Sequence, residues 1–183
     1  MKFLIKISLA WVVLVIFLIG GCAGQKALTT VKKPMTQKLS MYNVLKIDPF
    51  VYDASVKIDD PVKADELKNK LQAETKFKIY NLSLFEKVVD TEPVQAGDRE
   101  VMLKGRITFM KRVTEATRIM FGAMAGRSGV AITVQMVDPA TQSVLGEADI
   151  QGTSSGGSVF AGTTEEAFGN TTQQIADFVK KHY

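Results

Sequence analysis

"VAITVQMVDPATQSVLGEADIQ", Val130 to Gln151, alternates twice. Val130, Ile132, Val134 and Met136 take every second position, and after Asp138-Pro139-Ala140-Thr141-Gln142 the alternation resumes in Val144, Gly146, Ala148 and Ile150. A period of two sets these side chains on one face of a strand, and turn residues between two such runs make a hairpin. The other face of the second run carries Glu147, Asp149 and Gln151. The sheet therefore has one face to bury and one that stays bare or meets a partner.

The preceding run has the same character. Val101, Leu103, Gly105, Ile107 and Phe109 are apolar or small, and Lys104, Arg106 and Thr108 alternate with them. Upstream, Asp60-Pro61 predicts a helix start, with a carboxylate at the N-cap and proline at the first helical position. Ala64, Leu67 and Leu71 recur at spacings of three and four, so this helix should run to about Lys78, with a strand at Leu84 to Val89 after it. Near the end, Thr163-Thr164-Glu165-Glu166 fits a capping box. Phe168, Ile175, Phe178 and Val179 line one side of the helix that follows, and Lys180 and Lys181 suit its negative end. With a weak strand at Tyr42 to Ile47, the expected order is β-α-β-β-β-β-α. The fold class is α+β, a single mostly antiparallel sheet with both helices packed on one face.

The N-terminus reads differently. Lys2 and Lys6 precede an apolar run from Ile7 to Ile19, broken only by Ser8, and Gly20 and Gly21 lead to the single cysteine, Cys22. That is the order of a secretory signal, and the run is short beside the roughly 20 residues a spanning helix needs. Ile19-Gly20-Gly21-Cys22 resembles the lipobox of bacterial lipoproteins, which implies that residues 1–21 are a signal peptide and that Cys22 is acylated (the site of palmitate) as the mature N-terminus. Three acyl chains hold far better than one, at roughly 0.8 kcal/mol for each buried CH2. Ala23 stands where aspartate would favour inner-membrane retention, so the resemblance points to the outer membrane, facing the periplasm. An uncleaved signal would instead hang the domain from the inner membrane.

Cleavage removes two of the 23 basic residues and none of the 19 acids, leaving 162 residues with a formal charge of +2. That is one domain with a real core and no concentrated basic face, which argues against nucleic acid as a partner. No second cysteine remains for an intrachain disulfide. Residues 22–38 include Lys26, Lys32, Lys33 and Lys38 and show neither helical nor alternating period, so they read as the lipidated N-terminus and a flexible tether, with the domain at 39–183. The tether would span roughly 20–24 Å, and its lysines either hug an anionic bilayer or are merely solvated.

Three stretches taken together, "DREVMLKGRITFMKR", "FGAMAGRSGVAITVQMVDPATQSVLGEADIQGTSSGG" and "TTEEAFGNTTQQIADFV", resemble the bacterial lipoprotein family called domain of unknown function 4410, over about Lys46 to Lys180. That family is more distantly similar to the α/β domains of envelope-assembly lipoproteins such as the curli secretion channel family. The resemblance brings no catalytic residues.

Catalytic chemistry finds little support in the residues. His182 is the only histidine and is penultimate, where a fraying terminus offers no packed imidazole, so Ser-His and Cys-His catalysis are unexpected and histidine zinc sites fail by count. No cofactor or metal is implied. A carboxylate-only hydrolase is the remaining enzyme route. Its candidate pairs are Asp59 with Asp60, Asp98 with Glu100, and Glu165 with Glu166, and each has a simpler role as cap, turn or dipole partner. The loop "FGAMAGRSG" lacks a phosphate-loop ending. Met120, Phe121 and Met124 there, like Val159 and Phe160 in "TSSGGSVFAGTT", are a hairpin connection, a core plug, or an adaptable apolar surface for a partner or lipid. The expected function is that of a lipid-anchored cell-envelope lipoprotein, a non-catalytic binding or assembly module whose partner is another envelope protein or a second copy.

Overall fold

A computed structural model describes residues 27–111, 127–155 and 163–183. The chain order is β1 (Ala27–Lys33), a 3-10 turn (Leu39–Met41), β2 (Val44–Ile47), β3 (Val51–Tyr52), α1 (Pro61–Tyr80), β4 (Lys87–Val89), β5 (Glu100–Lys111), β6 (Gly129–Asp138), β7 (Ser143–Thr153) and α2 (Thr164–His182). The expected hairpin is β6–β7, paired from Gly129↔Thr153 to Asp138↔Ser143. Its turn closes as the sequence suggests, with the Asp138 carboxylate accepting from Ala140 N at 2.8 Å and Gln142 in the left-handed region at φ 58°.

The strands form one sheet in the order β1-β7-β6-β5-β2-β4, with β3 beside β5. The sheet is mixed, which corrects the mostly antiparallel expectation: β1–β7, β5–β6 and β6–β7 are antiparallel, and β2–β4, β2–β5 and β3–β5 are parallel. The cause is α1. A helix between β2 and β4 carries the chain back along the sheet, and neighbouring strands joined by such a crossover run parallel.

The tether expectation also needs correction. Residues 27–33 are β1, which pairs with β7 from Ala27↔Gly152 to Lys33↔Glu147, so the folded domain begins well before residue 39. None of its seven residues is buried, which hides this edge strand in the sequence, because its order comes from backbone bonds to β7 and not from a core stripe.

Both helices cover the same face. Asp60 caps α1 by accepting from Lys63 N at 3.1 Å, and Thr163 Oγ1 caps α2 by accepting from Glu166 N at 3.1 Å. Lys70 reaches Glu165 and Lys78 reaches Gln173; the sequence offset is 95 in both, so the helices run in the same direction. Leu71 and Ile79 of α1 and Phe168, Ile175, Phe178 and Val179 of α2 bury against Val101, Leu103, Ile107, Ile132, Val134 and Ile150 of the sheet. Each such side chain contributes about 1.5–3 kcal/mol by leaving water. Close approach is achieved with glycine: a Cβ on Gly105 would lie 2.5 Å from the Phe50 ring, and one on Gly152 would lie 2.6 Å from Thr171 N.

Phe109 departs from expectation. The register shifts between Ile107 and Phe109, and the bulge turns Phe109 to the uncovered face, 46% exposed, opposite Ala131. Met110 takes the covered side, its sulfur 3.5 Å from the Tyr52 hydroxyl.

Candidate functional site

The face of the sheet away from the helices is lined by polar side chains in register. One row across β7, β6 and β5 reads Asp149, Thr133, Arg106, and the next reads Glu147, Gln135, Lys104. Lys32 of β1 flanks the acidic side, 2.8 Å from Asp149 and 4.0 Å from Glu147. On the basic side, Asp48 lies 3.9 Å from Lys104 and Asp53 lies 3.9 Å from Arg106. Thr133 Oγ1 donates to Asp149 at 2.6 Å, and Gln135 Nε2 donates to Glu147 at 2.6 Å. These groups line a groove of about 330 Å3 floored by β5 and β6, and among the described residues no element covers it.

Local chemistry fixes the charges. Burial alone would raise Asp149, but hydrogen bonds from Lys32 and Thr133 outweigh it and hold the carboxyl below its ordinary value. The hydrogen bond to Asp149 raises Lys32 in turn. Asp53 is lowered first by the Ser55 hydroxyl, which donates to it at 2.6 Å. Asp53, Asp90, Asp98, Asp149 and Glu165 are each displaced downward. A general acid working near neutral pH needs the opposite shift.

Five of the six carboxylates in the pairs raised by the sequence have partners. Asp60 is the α1 cap, and Asp59 lies 3.8 Å from Lys57. Asp98 accepts from Lys87 Nζ at 3.1 Å and Asn43 Nδ2 at 3.3 Å, which ties β4, β2 and the approach to β5 together. Glu165 lies 3.3 Å from Lys70, and Glu166 accepts from Ser155 Oγ. His182 is not at a frayed end, which corrects the sequence expectation. Its ring packs edge-on 4.9 Å from Phe178, Tyr183 packs 5.3 Å from Phe85, and its Nε2 is buried without a hydrogen-bond partner. Burial, then the charge of Lys181, lowers the pKa of His182. Among the described residues, no group of three or more His, Cys, Asp or Glu is placed to hold a metal, and no helix is long and apolar enough to cross a membrane.

Ile19, Gly20, Gly21, Cys22, Met120, Phe121, Met124, Val159 and Phe160 lie outside the described residues. The groove is thus a site that sequence reading reached only in part. The alternation exposed Lys104 and Arg106 on one strand and Glu147 and Asp149 on another, but only the β5–β6 and β6–β7 registers set them in common rows.

A single mixed sheet with two parallel helices on one face and an open charged face on the other defines a layered α+β domain. Residues 52–158 match the family described as a domain of unknown function (DUF4410), and the chain belongs to that family. No curated protein matches the chain. Its fold is similar to that of the PelC dodecamer from Paraburkholderia phytofirmans, at 13% identity and TM-score 0.54, covering 81% of this chain and 96% of that one. A second PelC dodecamer structure, of a single-residue variant from the same organism, gives 12% identity and TM-score 0.54, covering 81% and 95%. A DUF4136 family protein from Bacteroides thetaiotaomicron gives 5% identity and TM-score 0.46, covering 86% and 96%.

Proposed function

We propose that this protein is a lipid-anchored envelope lipoprotein, acylated at Cys22, held at the outer membrane facing the periplasm, and that its domain is a non-catalytic assembly module that associates with copies of itself. The observation that carries the reading is the open sheet face, where side chains of both signs stand in register with no covering element among the described residues. Ordered, partly buried charge of this kind gives specificity and orientation to an interface. The shared fold of PelC, which is a dodecamer, supports the assembly part. The lipobox pattern Ile19-Gly20-Gly21-Cys22 and the short apolar run before it support the anchor. The downward shifts of Asp98, Asp149 and Glu165 suit none of these three to the role of general acid near neutral pH.

Sedimentation velocity of the mature chain in mild detergent tests the assembly, and intact mass tests the anchor. The expected species is an oligomer that begins at acylated Cys22. A monomer at micromolar concentration removes the assembly reading, and an unmodified Cys22 or a retained segment 1–21 removes the anchor.

A further inference from the structure

The charge columns of the open face have a symmetry of their own. Across the groove from β1 to the residues that flank β3 they read positive (Lys32), negative (Glu147, Asp149), neutral (Thr133, Gln135), positive (Lys104, Arg106) and negative (Asp48, Asp53). Reversing that order inverts every sign and leaves the middle neutral. A surface with this property is complementary to itself under one particular rotation, a two-fold axis lying in the face and running along β6. The two-fold along the other in-face direction sets each column over its own sign instead.

We propose that a second copy of this chain docks face to face on the groove about a two-fold axis parallel to β6. The inference rests on the self-association reading above and specifies its interface. A two-fold along the strands keeps the rows level. Arg106 shares its row with Asp149, and Lys104 shares its row with Glu147, so each cation of one copy stands over the acid of the same row in the other. Thr133 and Gln135 fall near the axis and meet their own counterparts, for which a neutral side chain that both donates and accepts is suited. Packed sheets lie about 10 Å apart, a gap that opposed lysine or arginine and carboxylate side chains can bridge.

The same axis agrees with the anchor. β1 starts at the end of the sheet where β7 finishes, Ala27 opposite Gly152. A two-fold parallel to the strands leaves this end of both copies pointing the same way, so both chains can enter one bilayer. Five residues from Cys22 to Ala27 reach at most about 18 Å, whereas the opposite end of β7, nine residues from Gly152 at Ser143, is about 30 Å away. An arrangement that turned the two copies end to end would hold one of them off the membrane.

Charge-swap mixing decides the matter. One variant carries Lys104→Glu with Arg106→Glu, and the other carries Glu147→Lys with Asp149→Lys, each in the full mature chain. The expected result is that each variant alone dissociates about 100-fold or more readily than the parent, since like charges then face each other, and that an equimolar mixture recovers association. Sedimentation velocity reads the mass, and far-UV circular dichroism with a melting curve shows that each variant is folded. If either pair fails to fold, Lys104→Gln with Arg106→Gln and Glu147→Gln with Asp149→Gln replace it, and each must still weaken the association. A parent that sediments as a monomer overturns the self-association reading and this inference with it. A parent that associates while the folded variants associate equally well, or while the swapped mixture fails to recover, leaves the assembly reading in place and overturns the two-fold groove.

Discussion

Substituting Gly152 by alanine tests whether α2 sits as close to the sheet as the structure has it. The added Cβ would lie 2.3 Å from Thr171 Oγ1, 2.6 Å from Thr171 N and 2.7 Å from Ala167 O. A rotamer change at Thr171 relieves only the first of these. Thr171 Oγ1 also donates to Ala167 O at 2.8 Å, so moving it would strand a buried hydroxyl. The two remaining clashes are with helix backbone, so α2 must shift as a body and loosen Phe168, Ile175 and Val179 from the core. Overpacking of this kind costs about 1–3 kcal/mol, and the backbone nature of the obstacle places Gly152→Ala near the upper end. For a chain of this size about 2–3 kcal/mol lowers Tm by roughly 5–10 °C. Gly169 on the same helix is the control. Nothing lies within 4 Å of a Cβ there, so Gly169→Ala should stabilise by about 0.5–1 kcal/mol through helix propensity. Melting of the two variants by circular dichroism should therefore move in opposite directions. If Gly152→Ala melts within about 1 °C of the parent, the close approach of α2 to β7 is wrong.

Other outcomes follow from the same geometry. Thr163→Ala removes the acceptor for Glu166 N and should cost about 1 kcal/mol, read as a Tm lower by about 2–4 °C; an unchanged Tm would mean that the cap adds nothing. Asp90 is held at about 2 from an ordinary 3.8, chiefly by its hydrogen bond from Lys76, so the unfolded chain binds more protons in that window and stability present above about pH 4 should fall as pH drops toward 2. Urea midpoints at descending pH read this, and Lys76→Met should flatten the decline; an equally steep decline in that variant would discount the pair. Trp11 is the only tryptophan and precedes Cys22, so the mature chain should emit as tyrosine alone, and any tryptophan emission from purified mature protein would show a retained leader.

The parts of the fold that the sequence discloses are those whose periodicity is enforced by one shared core. The hairpin from Val130 to Ile150, the strand from Val101, and the helices at Asp60-Pro61 and Thr163 all present a stripe that the same hydrophobic layer buries. What the sequence conceals has a different origin. β1 is held by backbone pairing along one edge of β7, and Leu28 and Val31 remain about half exposed, so no apolar stripe betrays it. β3 is only two residues long. The parallel pairing of β2 with β5 depends on where α1 returns the chain, which is a property of packing and not of either strand. At Phe109 a one-residue bulge reverses the face that strict alternation assigns. The groove was half legible for the same reason: alternation gives the face of Lys104, Arg106, Glu147 and Asp149, and pairing register alone gives their rows.

The two faces of the sheet therefore answer to different magnitudes, and this is what lets the assembly be probed without unfolding the subunit. On the covered side a single truncation such as Phe168→Ala is expected to cost about 3–5 kcal/mol, because the cavity it leaves cannot fill. On the open side Lys32 and Asp149 are 47% and 44% exposed, and exposed ion pairs of this sort are worth about 0–1 kcal/mol each. Changes on the open side should shift Tm by no more than about 2–4 °C for each pair lost, too little to unfold a domain of this size. The same charges gain weight only when a second surface removes them from water, where opposed signs attract and like signs repel by several kcal/mol. A face that is nearly idle in the monomer and decisive in a pair is what an assembly surface requires. Charge reversal at Lys104 and Arg106 should consequently separate the two properties, leaving the melting curve close to the parent and the sedimentation profile far from it.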